Sequence, residues 1–495
     1  MAAYLRRLRA PGALKSLMAE TGGRKQKIVI DYSSPNIAKQ FHIGNLRSTL
    51  IGAYLDRLHR ILGHEVSSVN YLGDWGTQFA LIATYWPQVR PSDAYWKSLS
   101  DVDKIRSLTD CYVVANKRIA DDEDFRSQVG ETYIAMEKDI LRKDFESEAM
   151  RLWNDIRQIS ERHLTQFYTL LNIQFDRWQC ESDLIAQAHK EVDRLIGEDT
   201  LRKTEDGLLV LDHPSSSDKK NTYSILRKSD NTSLYLTREI ASILERDRLF
   251  QGDRYLYVVD KAQKQHFVAL RAILDRMGRA DLAAKLEHVP FGRVKGLSTR
   301  QGKTEAVGDI IRNGTEQALA FMGNSKTIKV PEAKRDKVAE QLSVSTVIFN
   351  DLKRSRAAEY EFSFQNAFAL NQNNALLLQT KHSRMFSIET RNSDLLSQLD
   401  GCNRLPEETQ EVRELVQLLN SVGTTLSGSA DNLQACQLTL YLIQLAQSIG
   451  TVAAQLKVKN QPNKIALPRL LLLSASRHVL ADGMRLLGME PVDQM

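Results

Sequence analysis

Residues 27–50, KIVIDYSSPNIAKQFHIGNLRSTL, restrict the possible folds more than any other stretch. The β-branched run Ile28-Val29-Ile30 predicts a buried parallel strand. A polar turn, Ser33-Ser34-Pro35-Asn36, comes next, then Lys39, then His42-Ile43-Gly44-Asn45. From Asn45 the apolar positions Leu46, Leu50, Ile51, Tyr54, Leu55, Leu58, Ile61 and Leu62 recur at helical spacing, and Gly63 ends the run. A strand that feeds a helix through a loop of small residues suits phosphate. The first helical turn carries unpaired N–H groups and a partial positive charge. Lys39 and His42 would add mobile donors beside it.

The rest of the chain extends this pattern. Residues 65–72 read as a second strand and run into NYLGDWGTQF, where Gly73 and Gly76 permit a tight turn at a strand's C-terminal end. Residues 80–190 read as charged helices, with Trp153, Ile156, Ile159, Leu164, Phe167 and Leu170 on one buried face. Residues 207–212 predict a short strand, 213–221 a polar loop, and Ser229-Asp230-Asn231 a hairpin turn. A helix over 237–250, capped by Thr237, leads to a buried strand at 255–259. Alternation of this kind predicts a doubly wound parallel sheet. From about residue 332 the pattern is all-helical, interrupted near 390–394 and 421–432. Residues 376–384 and 470–488 are amphipathic.

A length of 495 residues allows two or three domains. No apolar run reaches the roughly 20 residues that span a bilayer, so no membrane partner is expected. Cys111, Cys180, Cys402 and Cys436 have neither zinc nor disulfide spacing, and no metal site is expected from them. A net charge of +6 is a weak pointer to a polyanion. Residues 1–19 hold Arg6, Arg7, Arg9 and Lys15 and no acid, the composition of a mitochondrial presequence. The spacing around Gly296 and Gly302-Lys303-Thr304 fails as a P-loop, with five residues between the glycines where four are needed.

SSPNIAK followed by HIGN resembles the first signature of class I aminoacyl-tRNA synthetases, and of arginyl-tRNA synthetases in particular. The signature's usual last histidine is Asn45 here. NYLGDWGTQF is also similar to a block of that family, and Gly296-Leu297-Ser298-Thr299-Arg300 looks like a degenerate form of the mobile second signature. The resemblance covers residues 26–495 and is closest to the mitochondrial branch. It implies a leader at 1–25, a Rossmann-like α/β catalytic domain at 26–335 with a helical insertion at about 80–190, and an all-α anticodon-binding domain at 336–495. The family's N-terminal domain, of roughly a hundred residues, contacts the elbow of the tRNA. Only about 25 residues precede the first strand here, which puts such contacts in doubt unless the sequence is a piece of a longer chain.

The implied reaction activates L-arginine with ATP and Mg²⁺, then passes the arginyl group to the 3′ end of tRNA(Arg). Lys39, His42, Asn45, Ser298, Thr299 and Arg300 would be catalytic, and Gly44 would join Lys39, His42, Asn45, Ser298 and Arg300 in binding ATP. Similarity places the amino-acid pocket at Asp31, Ser34, Pro35, Asn36, Asn45, Tyr235, Glu239 and Gln263. Asp31 and Glu239 suit a guanidinium, which pairs best with planar carboxylates. Lys381, His382 and Arg384 would face tRNA. A monomer in the mitochondrial matrix is expected, with the cytoplasm as the alternative. A catalytically impaired, tRNA-binding paralogue is the rival reading, because of Asn45 and Gly296.

Overall fold

The computed structural model describes residues 1–495 except 11, 21–23, 39, 40, 42, 215–220, 296–306, 325–329, 362 and 364–372. Two short helices, α1 (Ala2–Leu8) and α2 (Ala13–Ala19), precede β1 (Lys27–Asp31), α3 (Ile43–Ile61) and β2 (Glu65–Leu72). Five helices follow: α4 (Thr77–Val89), α5 (Asp93–Ser98), α6 (Asp101–Asp121), α7 (Glu123–Arg142) and α8 (Glu148–Leu170). The stretch expected to be helical throughout then breaks for β3 (Arg177–Cys180), which joins the sheet beside β2. Next come α9 (Ile185–Gly197), the small antiparallel sheet of β4 (Arg202–Lys203), β5 (Leu209–Pro214) and β6 (Asn221–Arg227), and α10 (Tyr235–Phe250). The fold returns through β7 (Arg254–Asp260), α11 (Lys264–Arg276), α12 (Ala280–Lys285) and β8 (Leu286–Phe291).

The main sheet has the order β3-β2-β1-β7-β8, parallel at every pairing. Strand order reverses across β1 and β7, so the crevice between their C-terminal ends is the expected ligand position. Alternate residues of β1 point to opposite layers. Ile28 and Ile30 join the core that holds α3, whereas Val29 packs with Tyr255, Ile240 and Leu270 in the layer of α10 and α11. Glycine permits the α3 contact, since a Cβ at Gly52 would lie 2.1 Å from that of Tyr32.

Beyond β9 (Val294–Lys295), α13 (Val307–Asn324) and α14 (Arg335–Leu352), the short β10 (Tyr360–Glu361) pairs with β9. Arg47 of α3, 1% exposed, fastens this crossing. Its guanidinium donates to the carbonyls of Gly292, Ala358 and Ser355 and lies 3.4 Å from Asp351. The C-terminal part is helical: α15 (Ala375–Thr390), α16 (Ser393–Leu396), α17 (Gln410–Asn420), α18 (Val422–Asn432), α19 (Ala435–Gln455) and α20 (Asn463–Leu487).

Two further sequence expectations need correction. Residues 421–432 are mostly helix and not a linker: Leu426 and Ala430 bury one stripe of α18, which outweighs its weak intrinsic propensity. Helix α10 starts at Tyr235, two residues before the expected cap, and the Thr237 hydroxyl donates instead to the carbonyl of Leu226 in β6. The basic leader is packed into the fold. Leu5, Leu8, Leu14 and Met18 are buried in the large core, the Tyr4 hydroxyl donates to Leu419 O, and Arg9 reaches Ser474 and Asp400. All four cysteines are free thiols. Among the described residues no helix is long and apolar enough to cross a membrane.

Candidate active site

The polar turn after β1 is held in a conformation that its residues rarely choose. Ser33, Ser34 and Ala38 have φ of 70°, 43° and 63°. Non-glycine residues persist in that region when surrounding bonds over-determine them. Here the Ser33 N–H donates to Ser48 Oγ, Thr49 donates to Ser33 Oγ, and Ser34 N–H donates to Asn70 Oδ1. Asn36 bridges to Gly73 in the GDWG turn, where a Cβ would meet Asn36 Oδ1 at 2.0 Å. The two motifs thus form one wall. Trp75 Nε1 donates to Glu137 of the insertion, and Asp74 accepts both the N–H and the hydroxyl of Ser182. Burial raises the Asp74 carboxyl to about 6.

Behind this wall lies a cavity of about 820 Å³ at the switch point of the sheet. Asp31, Ser34, Asn36, Gly44, Asn45, Tyr235, Glu239 and Gln263, all anticipated from sequence, line it. Pro35 does not. It is buried, and its carbonyl accepts the Gly73 N–H. Gly44 and Asn45 bring the first turn of α3 to the cavity. Lys39, His42, Ser298, Thr299 and Arg300 fall outside the described residues.

Four carboxylates line the cavity, and three have an arginine. Asp31 Oδ2 is 2.7 Å from Arg246, Glu181 Oε2 3.1 Å from Arg238, and Asp260 Oδ2 2.7 Å from Arg293. Glu239 has no ion-pair partner among the described residues. It is 2% exposed, and its Oε1 has no hydrogen bond. The hydroxyls of Tyr71 and Tyr257 and Nε2 of His266 are also buried and unpartnered. Each such group forfeits about 1–3 kcal/mol unless something pairs with it. Burial, together with the Asp31 charge and against the pull of Arg246, raises Glu239 to about 7. Burial raises Glu181 to about 7 as well, and desolvation lowers His266 to about 4, leaving that ring neutral. A cation with planar donors would satisfy this arrangement.

Sequence reasoning gave no role to Glu181, Arg238, Arg246, Tyr71, Tyr257 or His266. A signal for Arg246 was present. Residues 235, 239, 242 and 246 share one helical stripe; Glu239, Ser242 and Arg246 are buried, and Tyr235 stands half-exposed at the cavity beside His266.

Comparison with known proteins decides the family. Residues 13–364 match the catalytic domain of "tRNA synthetases class I (R)", and residues 378–495 match the "DALR anticodon binding domain". The chain belongs to the arginyl-tRNA synthetase family. It is 34% identical to the probable mitochondrial arginine–tRNA ligase of Mus musculus over 478 residues, which cover 95% of this chain and 79% of the relative. It is 32% identical to the cytoplasmic arginine–tRNA ligase of Saccharomyces cerevisiae, at 95% and 77% coverage. The solved Thermus thermophilus arginyl-tRNA synthetase shares the fold, with a TM-score of 0.78, 20% identity, and coverage of 100% of this chain and 86% of that one. The synthetase therefore has a class I catalytic domain with a parallel sheet, followed by a helical anticodon-binding domain.

In that second domain the three anticipated basic residues part company. Arg384 is exposed on α15. Lys381 is half-buried against Gly450 of α19. His382 is 0% exposed, which corrects the expectation that it faces tRNA. Its Nε2 meets Asp493, and desolvation together with Arg477 lowers its pKa to about 3, so it is a neutral core residue. The neighbouring polar side chains also bind the chain's own end. Gln379 Nε2 donates to Glu490 O, Gln379 Oε1 accepts the Val492 N–H, and Ser383 Oγ accepts the Met495 N–H.

Proposed function

We propose that this chain is an arginine–tRNA ligase whose guanidinium pocket is centred on Glu239. The observation that carries the assignment is the buried carboxylate of the cavity that has no ion-pair partner among the described residues, set beside the tyrosines at 71, 235 and 257. Family membership supplies the reaction class.

In the first step a carboxylate oxygen of arginine attacks the α-phosphorus of ATP, pyrophosphate leaves, and arginyl-adenylate forms. In the second, a hydroxyl of the terminal tRNA ribose attacks the arginyl carbonyl and AMP leaves. Neither step needs a protein nucleophile, so the residues act by positioning and charge. The α-phosphate would sit at the N-terminus of α3, beside Gly44 and Asn45, with Lys39, His42, Ser298, Thr299 and Arg300 as the donors that the family resemblance implies. Mg²⁺ would arrive on the nucleotide's phosphates as part of the substrate. Ser34, Asn36 and Gln263 suit the α-amino and carboxylate end of arginine, and Glu239 and Tyr235 its side chain. The exposed Arg384 and the half-buried Lys381 are proposed to contribute to the tRNA surface. The reading takes the enzyme to act as a monomer. The acid-free, basic start and the mitochondrial name of the mouse relative support work in mitochondria. The cytoplasmic yeast relative keeps the cytosol as the alternative.

The test is ATP–pyrophosphate exchange in the presence of tRNA, run with arginine, lysine and citrulline. Arginine should support exchange. Citrulline leaves the buried anion unpaired and should be disfavoured by roughly 10⁴-fold, as in other sites built around one polar pairing. Equal exchange with citrulline would remove the pocket assignment.

A further inference from the structure

The cavity has a second wall where β8 passes into β9. Phe291, Arg293 and Val294 line it there, together with Gly44, Asn45 and Arg47 of α3. Three consecutive side chains tie the opening turns of α3 to different elements. Thr49 donates to Ser33 Oγ in the turn after β1, Ser48 donates to Val258 O on β7, and Arg47 donates to Gly292 O just past β8. The helix start that faces the cavity is therefore placed from three directions.

Arg47 makes the longest of these links. Its Nη1 supplies Gly292 O at 2.6 Å and Ala358 O at 2.5 Å, its Nη2 supplies Ser355 O at 3.2 Å, and its Cζ lies 5.1 Å from the ring centroid of Tyr360. Only a planar fork serves several carbonyls in this way; an ammonium is a point charge. Asp351 of α14, also buried, balances the cation and accepts the Tyr360 hydroxyl at 2.7 Å. The strap of residues 355–361 then lies on the end of β8 at backbone distance. Gly292 N–H donates to Arg356 O, Arg356 Nη1 donates to Pro290 O, and β10 pairs with β9. A Cβ at Gly292 would lie 2.5 Å from Ala357 O, so glycine is required for the approach. The Lys261–Glu359 and Arg293–Asp260 pairs, at 2.6 and 2.7 Å, join the same crossing to the end of β7.

A buried ion pair is a poor source of stability, because apolar side chains of similar volume often serve as well. It is a good source of fixed distance, since charge-assisted bonds are short and directional. We propose that Arg47 is a positioning residue for the nucleotide, setting the separation between the first turn of α3 and the β8–β9 crossing, the two walls between which ATP lies. This rests on the ATP reading above and deepens it. The wall that holds the phosphate and the wall across from it are then one rigid unit, joined through a single guanidinium.

Pyrophosphate exchange with tRNA present, read as separate KM values for ATP and arginine, tests it. Arg47→Lys keeps the charge and loses the fork. KM for ATP should rise by about fivefold or more, and KM for arginine should stay within about twofold. Arg47→Met leaves Asp351 buried without its cation, and melting should fall by about 5 °C or more. Adding Asp351→Asn to that variant removes the orphaned charge. Melting should then return to within about 2 °C of the unaltered enzyme, while KM for ATP stays about tenfold high. An arginine that served stability alone would let KM for ATP recover together with melting. That recovery, an unchanged KM for ATP in Arg47→Lys, or an equal rise in both KM values there, overturns the proposal. If the double variant is not recovered folded or does not regain its melting, Arg47→Lys decides: a rise confined to ATP supports the role, and any other result refutes it. Exchange by the unaltered enzyme is measured first, so a failed test removes the role of Arg47 and leaves the ATP and arginine activity standing.

Discussion

Two buried polar clusters lie in different halves of this synthetase, and they have opposite fates. Around α15, Gln379 and Ser383 bond to the protein's own C-terminal residues Glu490, Val492 and Met495, and His382 meets Asp493 through Nε2, with its buried Nδ1 left unpartnered among the described residues. Around α10, Glu239, Tyr71 and Tyr257 keep buried atoms without partners beside a cavity of about 820 Å³. Both clusters are helical, aromatic or charged, and near sequence motifs. The difference is whether the chain returns to fill the site. Where it does, the polar groups fix a packing arrangement. Where it does not, they describe a ligand.

Experiments can press on that contrast, beginning with the largest effect. Glu239→Gln removes the unpaired charge, so kcat/KM for arginine should fall by about a hundredfold or more, mostly through KM, while discrimination against citrulline relaxes. Glu239→Asp keeps the charge and should retain most activity. Unchanged KM in the glutamine variant would move the guanidinium elsewhere.

The second effect is pH dependence. Glu239 and Glu181 are raised to about 7 in the empty pocket, yet only the ionised form pairs with a guanidinium. KM for arginine should therefore fall by about tenfold between pH 6 and 8. The sign for stability is opposite. A carboxyl raised in the fold stabilises it fully below its ordinary range, and that contribution fades as pH climbs through 7. Melting of the free enzyme should drop over that interval, and saturating arginine should restore it.

Deleting residues 490–495 strips the partners from Gln379 and His382. Melting should fall by about 5 °C, while the folded enzyme should keep its KM for arginine within about twofold. The smallest effect belongs to His382→Gln. Its ring is buried and neutral, so KM for tRNA should change by less than about twofold. A tenfold rise would return His382 to the tRNA surface.

The strand–loop–helix of residues 27–50 was legible because periodicity and turn chemistry agree there, and β2 matched its expected residues 65–72. Tyr235 and Glu239 were legible as a pair because four residues make one helical turn. The pairing of Asp31 with Arg246 was not, since the two are 215 positions apart and only the sheet brings them together. The fate of His382 was equally hidden. Local sequence shows a basic helix, and nothing in it announces that residues 490–495 cover that face. Strand β3 was missed because four residues between helices carry too little pattern to be told from a turn.

The docked leader has a consequence in time. Tyr4 bonds to Leu419, and Arg9 to Ser474, 415 and 465 residues further along the chain. At about 5–20 residues per second, those partners emerge roughly half a minute to a minute and a half after the leader does. For that interval α1 lacks the last helix, its main packing partner, and presents a basic, apolar segment to whatever surrounds the nascent chain. Once α20 closes over them, Leu5 and Leu8 are out of reach. Any factor that reads Leu5 and Leu8 must do so before the last helix has been made.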